Sequence, residues 1–151
     1  MNKAEFLARF RAERARLDDR LAQMSEAQLT TPPAPGEWST KEALAHVTFW
    51  EQSMLDRLRR AVSTGETAPW VGDEEETRLN AQIVEDSQRR SPLDVLDDNR
   101  RSFQQAIALV ESLPESDLID PQRFDWLDGK PLWEYVADEA YGEHYEEHLK
   151  F

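Results

Sequence analysis

The chain has 151 residues, 31 of them Asp or Glu against 18 Lys or Arg, which gives a formal net charge of −13. A hydrophobic content of 39%, with five Trp, six Phe and three Tyr, supplies a core for one domain over 1–151 and excludes wholesale disorder. Five Gly and eight Pro gathered in a few places are too little punctuation for many short strands, which excludes an all-β fold, and the lack of Cys excludes disulfides, thiolate metal sites and a cysteine nucleophile.

Phe6, Phe10, Leu17, Leu21 and Met24 recur at helical spacing and predict a first amphipathic helix that stops a little after Ser25, before the proline cluster of TTPPAPGEW. Ser39 followed by Glu42 reads as a capping box that opens a second helix running to about Thr64, with Gly65 as its stop. GETAPWVGDEEET is expected to be a loop, and TRLNAQIVEDSQRR a short helix lying across the bundle or preceding the next long one. Ser91 and Pro92 start a third long helix that ends near Ser112, with Leu93, Leu96, Phe103, Ile107 and Val110 as its inward stripe. Pro114 closes it, Asp128 and Gly129 between Phe124, Trp126 and Trp133 suggest a small hairpin, and a last helix runs from near Pro131 almost to Phe151. The economical architecture is an all-α four-helix bundle with long connections between helices 2 and 3 and between helices 3 and 4.

Charges interrupt every apolar stretch of the N-terminus, MNKAEFLARFRAERARL, so neither a signal peptide nor a membrane span is expected there, and a cytoplasmic protein is. The negative charge repels phosphate backbones and no basic face offsets it, so nucleic acid and anionic membranes are poor partners. Runs such as RFRAERARLDDR read as solvated helix faces. The DEEE run lacks the turn glycines of a calcium loop.

The three histidines carry the most informative chemistry. His144 and His148 stand four residues apart on the last helix and differ by roughly 40° in azimuth, so both rings project from the face of Trp133, Val136, Ala137, Ala140 and Tyr141. His46 flanks the apolar stripe of the second helix, formed by Ala43, Leu44, Val47, Trp50, Met54, Leu55, Leu58 and Val62, and Glu51 lies inside that stripe. Two helix faces able to converge in a bundle core thus hold the whole histidine complement. Three neutral imidazoles suit Zn, Ni, Fe or Cu and leave a coordination position open for water or substrate, whereas the bland alternative is helix-flank histidines that satisfy local hydrogen bonds.

The segment WSTKEALAHVTFW, followed near the far end of the chain by HYEEH, resembles the DinB/YfiT-like superfamily of metal-binding four-helix bundles. The family's triad, one His on the second helix and an H-x3-H pair on the fourth, is matched by His46, His144 and His148. A narrower likeness is to the DfsB/ClbS branch, carried by His46 with Trp50, Trp70 ahead of Leu79 and Asn80, the run Ser91, Pro92, Leu93, and then Trp126, Pro131, Leu132, His144 and Tyr145. That branch implies protection from a reactive small molecule, including hydrolysis of a strained ring, without need of a complete His triad. The wider superfamily implies a hydrolase or thiol S-transferase acting on small electrophiles, with a divalent metal, Ni or Zn foremost, a low-molecular-weight thiol where transfer is the reaction, and homodimers among its members.

Pocket candidates are Trp50, Trp70, Trp126 and Tyr141, for which the competing role is core or loop packing, with Asn80 as a polar contributor lacking independent support. Glu51 is the candidate catalytic residue: it could orient a His ring, act as a general base on a bound water, or form an internal salt bridge. Three readings follow: a metal-dependent enzyme on His46, His144 and His148, a metal-independent protein that binds or hydrolyses a reactive metabolite, and a helical bundle without activity.

Overall fold

The computed structural model describes residues 1–140 and Leu149. Among them no strand is found, and the α-helices run in the order α1 (Lys3–Ala22), α2 (Glu26–Thr30), α3 (Thr40–Thr64), α4 (Asp73–Ser87), α5 (Pro92–Ser112), α6 (Glu115–Ile119) and α7 (Leu132–Ala140). The long helices α1, α3 and α5, with α7, build the bundle. α3 is its central member, packed against α2, α4, α5 and α7, while α1 lies against α5 and α6.

Local chemistry sets most of these boundaries. The Asn2 side chain accepts the Glu5 amide at 2.8 Å and the Glu5 carboxylate accepts the Asn2 amide at 3.2 Å, a reciprocal cap that starts α1. The first helix does not reach past Ser25. It ends at Ala22, and Ser25 instead caps α2, accepting from the Gln28 amide while Gln28 Oε1 accepts from the Ser25 amide. Ser39 opens α3 with the hydroxyl half of the expected box, accepting the Glu42 amide at 3.2 Å, and Gly65 closes it at φ 80°, a left-handed position that glycine adopts without strain. Ser91 accepts the Asp94 amide at 3.1 Å and Pro92 takes the first turn of α5.

Three further expectations need correction. DEEE is not part of the loop: Asp73, Glu74, Glu75 and Glu76 form the first turn of α4, where carboxylates meet the positive end of the helix dipole. Asp128 and Gly129 do take positive φ (53° and 82°), and the Lys130 amide bonds to the Leu127 carbonyl at 3.1 Å, but the turn they make joins a single 3-10 turn, Asp125–Leu127, to α7 rather than two strands. On α5 the buried positions are Val95, Asn99, Ser102, Ala106 and Val110, whereas Leu93 is 65% exposed and Leu96, Phe103 and Ile107 pack at the margins. The expected last helix is realised over α7, and its continuation through Tyr141, His144 and His148 lies outside the described residues.

Among the described residues the core falls into two apolar clusters. One is built around Phe6, Phe10, Met54, Leu55, Leu58, Ala106, Val110, Leu132 and Val136. The other is built around Leu17, Leu21, Leu29, Ala43, Leu44, Val95 and Leu149. Between them, along α1, α3 and α5, runs a polar layer. Arg14 is buried, donating through Nη1 to Asn99 Oδ1 at 2.6 Å and through Nε to Asp18 at 3.0 Å. Asn99 Nδ2 donates to Thr48 Oγ1 at 3.0 Å. Glu51, 0% exposed, accepts from Ser102 Oγ at 2.6 Å, and Ser102 accepts in turn from Gln52 Nε2 at 2.8 Å. Every one of these groups has a named partner, as buried polar atoms require when water is out of reach.

Candidate functional site

A cleft of about 390 Å³ opens where α3, α4, α7 and the loop between α3 and α4 meet. Its lining includes His46, Trp50, Met54 and Arg57 from α3, Trp70 and Val71 from the loop, Glu76 and Asn80 from α4, and Tyr135 and Glu139 from α7. That volume is within the range of small-molecule sites, and the mixture of aromatic walls with a few placed polar groups is their usual composition.

Helical spacing accounts for the α3 contribution, since His46, Trp50, Ser53, Met54 and Arg57 recur every three or four residues on one side of the helix. His46 is 3% exposed, and its ring lies 4.8 Å from that of Trp38, centroid to centroid. The Trp50 indole is fixed in orientation, Nε1 donating to Asn80 Oδ1 at 2.8 Å, which ties α3 to α4 across the cleft. Asn80 also lines a neighbouring groove with Trp38, Ala81 and Val84, so its amide stands where the two depressions adjoin.

The loop wall is held by a buried cation. Arg57 donates to Thr67 Oγ1 and the Ala68 carbonyl, and reaches the Pro69 carbonyl at 3.4 Å. Its guanidinium carbon sits 3.8 Å from the centroid of Trp70. A buried guanidinium needs its donors satisfied, and the Thr67 hydroxyl with the Ala68 and Pro69 carbonyls supplies acceptors from the loop, which holds the loop onto α3. Behind Trp70 stand Trp126 and Tyr135, each with its ring centroid 6.2 Å away. Burial raises the Tyr135 phenol well above its usual range, the Glu139 carboxylate raises it further, and Arg57 opposes both through its charge and a hydrogen bond. Tyr135 is consequently a neutral hydroxyl across the physiological range.

The structure brings His46, Trp50 and Trp70 to one cleft. Trp126 supports Trp70 from behind and does not line the cleft, and Glu51 sits in the polar layer against Ser102. Tyr141, His144 and His148 lie outside the described residues. Sequence reasoning missed Arg57, Tyr135, Glu76 and Glu139. Arg57 carried the same signal as Glu51, a charge set within an apolar helical stripe between Leu55 and Leu58.

The donor chemistry of a metal centre is met only in part. Among the described residues no group of three His, Asp or Glu is placed to hold an ion. His46 presents an imidazole to the cleft, and the remaining ligands of a three-imidazole set would be His144 and His148.

A model of the DinB superfamily matches residues 9–149, nearly the whole chain, and the protein belongs to that superfamily. Among solved structures, the colibactin self-resistance protein ClbS in complex with a double-stranded DNA has a TM-score of 0.78 at 15% identity, covering 99% of this chain and 91% of that one. A Streptococcus pneumoniae protein has a TM-score of 0.77 at 14% identity, covering 99% and 87%. DfsB, described as a sibling lethal factor precursor, has a TM-score of 0.77 at 16% identity, covering 92% and 86%. At these identities the likeness is one of fold. No curated protein sequence gives a significant match. No helix among the described residues is long and apolar enough to cross a membrane.

Proposed function

We propose that this protein binds a small reactive molecule in the cleft of His46, Trp50 and Trp70 and disarms it, in the manner of a self-resistance protein. The observation that carries the reading is a cleft of small-molecule size in which aromatic walls meet a buried imidazole and a neutral phenol. Similarity of fold to ClbS and DfsB agrees with it. ClbS is described with DNA, but a chain of net charge −13 repels a phosphate backbone, which favours the small molecule as the ligand here.

Hydrolytic opening of a strained ring needs little machinery. The water oxygen bonds to a ring carbon, the ring bond to that carbon breaks, and the water's proton passes to the atom that leaves. An imidazole is the side chain suited to accept that proton near neutrality, and His46 is the one the described cleft holds. The Tyr135 hydroxyl, kept protonated by burial and by Glu139, is a donor for the leaving atom. Asn80 holds Trp50 in place as the wall against which the molecule lies.

Incubating the purified chain with a panel of epoxides, aziridines and cyclopropyl ketones, with and without glutathione, is expected to yield a ring-opened product that has gained one water, or the thiol adduct if transfer is the reaction. Mass spectrometry of the mixture is the readout, and no conversion of any member above the buffer rate, together with no protection of cells expressing the chain, overturns the reading.

Placement of the buried His46 in the cleft also favours a second reading, in which a divalent metal, Ni or Zn, is held by His46, His144 and His148. An ion bound by neutral imidazoles supplies a water or thiol of lowered pKa. Elemental analysis of the untagged protein is then expected to find close to one equivalent of metal, lost in His46→Ala with the helical circular dichroism retained; a chain that takes up no metal from supplemented buffer removes this reading.

A further inference from the structure

Resting on the reading that the cleft holds a small reactive molecule, we infer that the molecule is a cation, whose positive charge is received by the indoles of Trp50 and Trp70 and the carboxylate of Glu76. Among the described residues the lining carries two carboxylates, Glu76 and Glu139, against one guanidinium, Arg57. Arg57 is turned to the loop, donating to Thr67, Ala68 and Pro69 and lying over Trp70, and its single charge is outnumbered by the two carboxylates. It is a structural cation within the wall.

The same contact shows that this wall accepts positive charge. Arg57 lies over one face of Trp70 at 3.8 Å, yet the indole remains 60% exposed, which leaves ring surface on the side facing solvent. Tryptophan has the strongest negative quadrupole of the aromatic side chains and attracts cations over its face. Tyr135, held neutral, adds a further aromatic wall to the cleft.

Longer-range fields point the same way. Glu76 is one of four consecutive carboxylates in the first turn of α4, and four formal charges outweigh the roughly half charge of opposite sign that the helix terminus contributes. A net charge of −13 draws cations toward the cleft and repels anions during diffusional approach. A neutral electrophile gains from the aromatic walls alone.

Calorimetric titration of the full chain with three rings of one shape tests the assignment: cationic N-methylquinolinium, neutral quinoline N-oxide and anionic quinaldate. The cation is expected to bind about tenfold more tightly than the neutral ring, with the anion weakest and only the cation's affinity falling as salt rises. Glu76→Gln, at an exposed position that should leave folding intact, is expected to narrow the ratio of cation to neutral ring without weakening the neutral one. Asp19→Asn, on the exposed face of α1, leaves the ratio unchanged. A neutral or anionic ring that binds as tightly as the cation overturns the charge assignment while the cleft reading stands. If none of the three binds and no electrophile is opened, both fall.

Discussion

Phe10→Ala is expected to destabilise the protein by about 3–5 kcal/mol and to lower its Tm by about 8–15 °C. Phe10 is almost wholly buried on α1, its ring 5.8 Å from Phe6 and 5.2 Å, edge-on, from Phe103 of α5. Truncation removes the apolar area of a full aromatic ring and leaves a void between two helices. Main-chain hydrogen bonds hold α1 and α5 rigid, so neither can close that void completely, and the cavity adds to the transfer cost. Leu93→Ala provides the contrast. Leucine at a position 65% exposed contributes little, and a change within about 0.5 kcal/mol is expected. Urea denaturation of both variants checks the pair: a loss below about 1 kcal/mol for Phe10→Ala, or a larger loss for Leu93→Ala, would show the core to be assigned to the wrong face.

The second large effect is expected at Arg14→Ala, a loss of about 2–4 kcal/mol. Arg14 is 5% exposed and joins α1 to α5 through Asn99, which in turn reaches Thr48 of α3. Alanine leaves the side-chain oxygen Asn99 Oδ1 buried without its Arg14 donor, and the desolvation of that oxygen is then uncompensated. Replacing both members, Arg14→Leu with Asn99→Leu, is expected to recover a substantial part of the loss, since no polar atom is then stranded and Thr48 still donates to the Leu44 carbonyl at 2.7 Å. The double-mutant cycle isolates the coupling between the two side chains. Additive effects in that cycle would mean that Arg14 contributes only by filling space.

Boundaries governed by one or two residues were readable before any fold was considered. Ser39, Gly65 and the pair Ser91 and Pro92 mark the ends of α3 and the start of α5 because a hydroxyl cap, a left-handed glycine and a first-turn proline act within one turn of chain. The inward face of α5 was not readable in the same way. Its central positions are Asn99 and Ser102, and a search for an apolar stripe passes over them to the neighbouring face of Leu93 and Leu96. The start of α4 was hidden by a similar assumption, that four consecutive acids belong in solvent-exposed loop, when the same acids favour a helix N-terminus.

Part of the candidate site was legible for the same reason. His46 and Trp50 share a helical face, and Glu51 was recognisable as inward because it interrupts an apolar stripe. The loop wall was not. Arg57, Trp70 and Tyr135 come together only when the segment after Gly65 folds back on α3, and nothing local to Trp70 encodes that return. Tertiary packing determines which side chains share a cleft, and spacing along a single helix cannot supply it.

A bundle whose interior were leucine throughout would accept several alignments of its helices, because one methyl group meets another equally well after a slide. Sliding α1 along its axis by one turn, about 5.4 Å, would carry the Arg14 guanidinium away from Asn99 and toward one of the two apolar clusters. Such a mismatch penalises every shifted arrangement and leaves the aligned one untouched. The hydrogen-bonded stripe across the middle of the molecule thus acts as a ruler, and the distance it fixes between α1, α3 and α5 is inherited by the far side of α3, where His46 and Trp50 must meet their partners from α4.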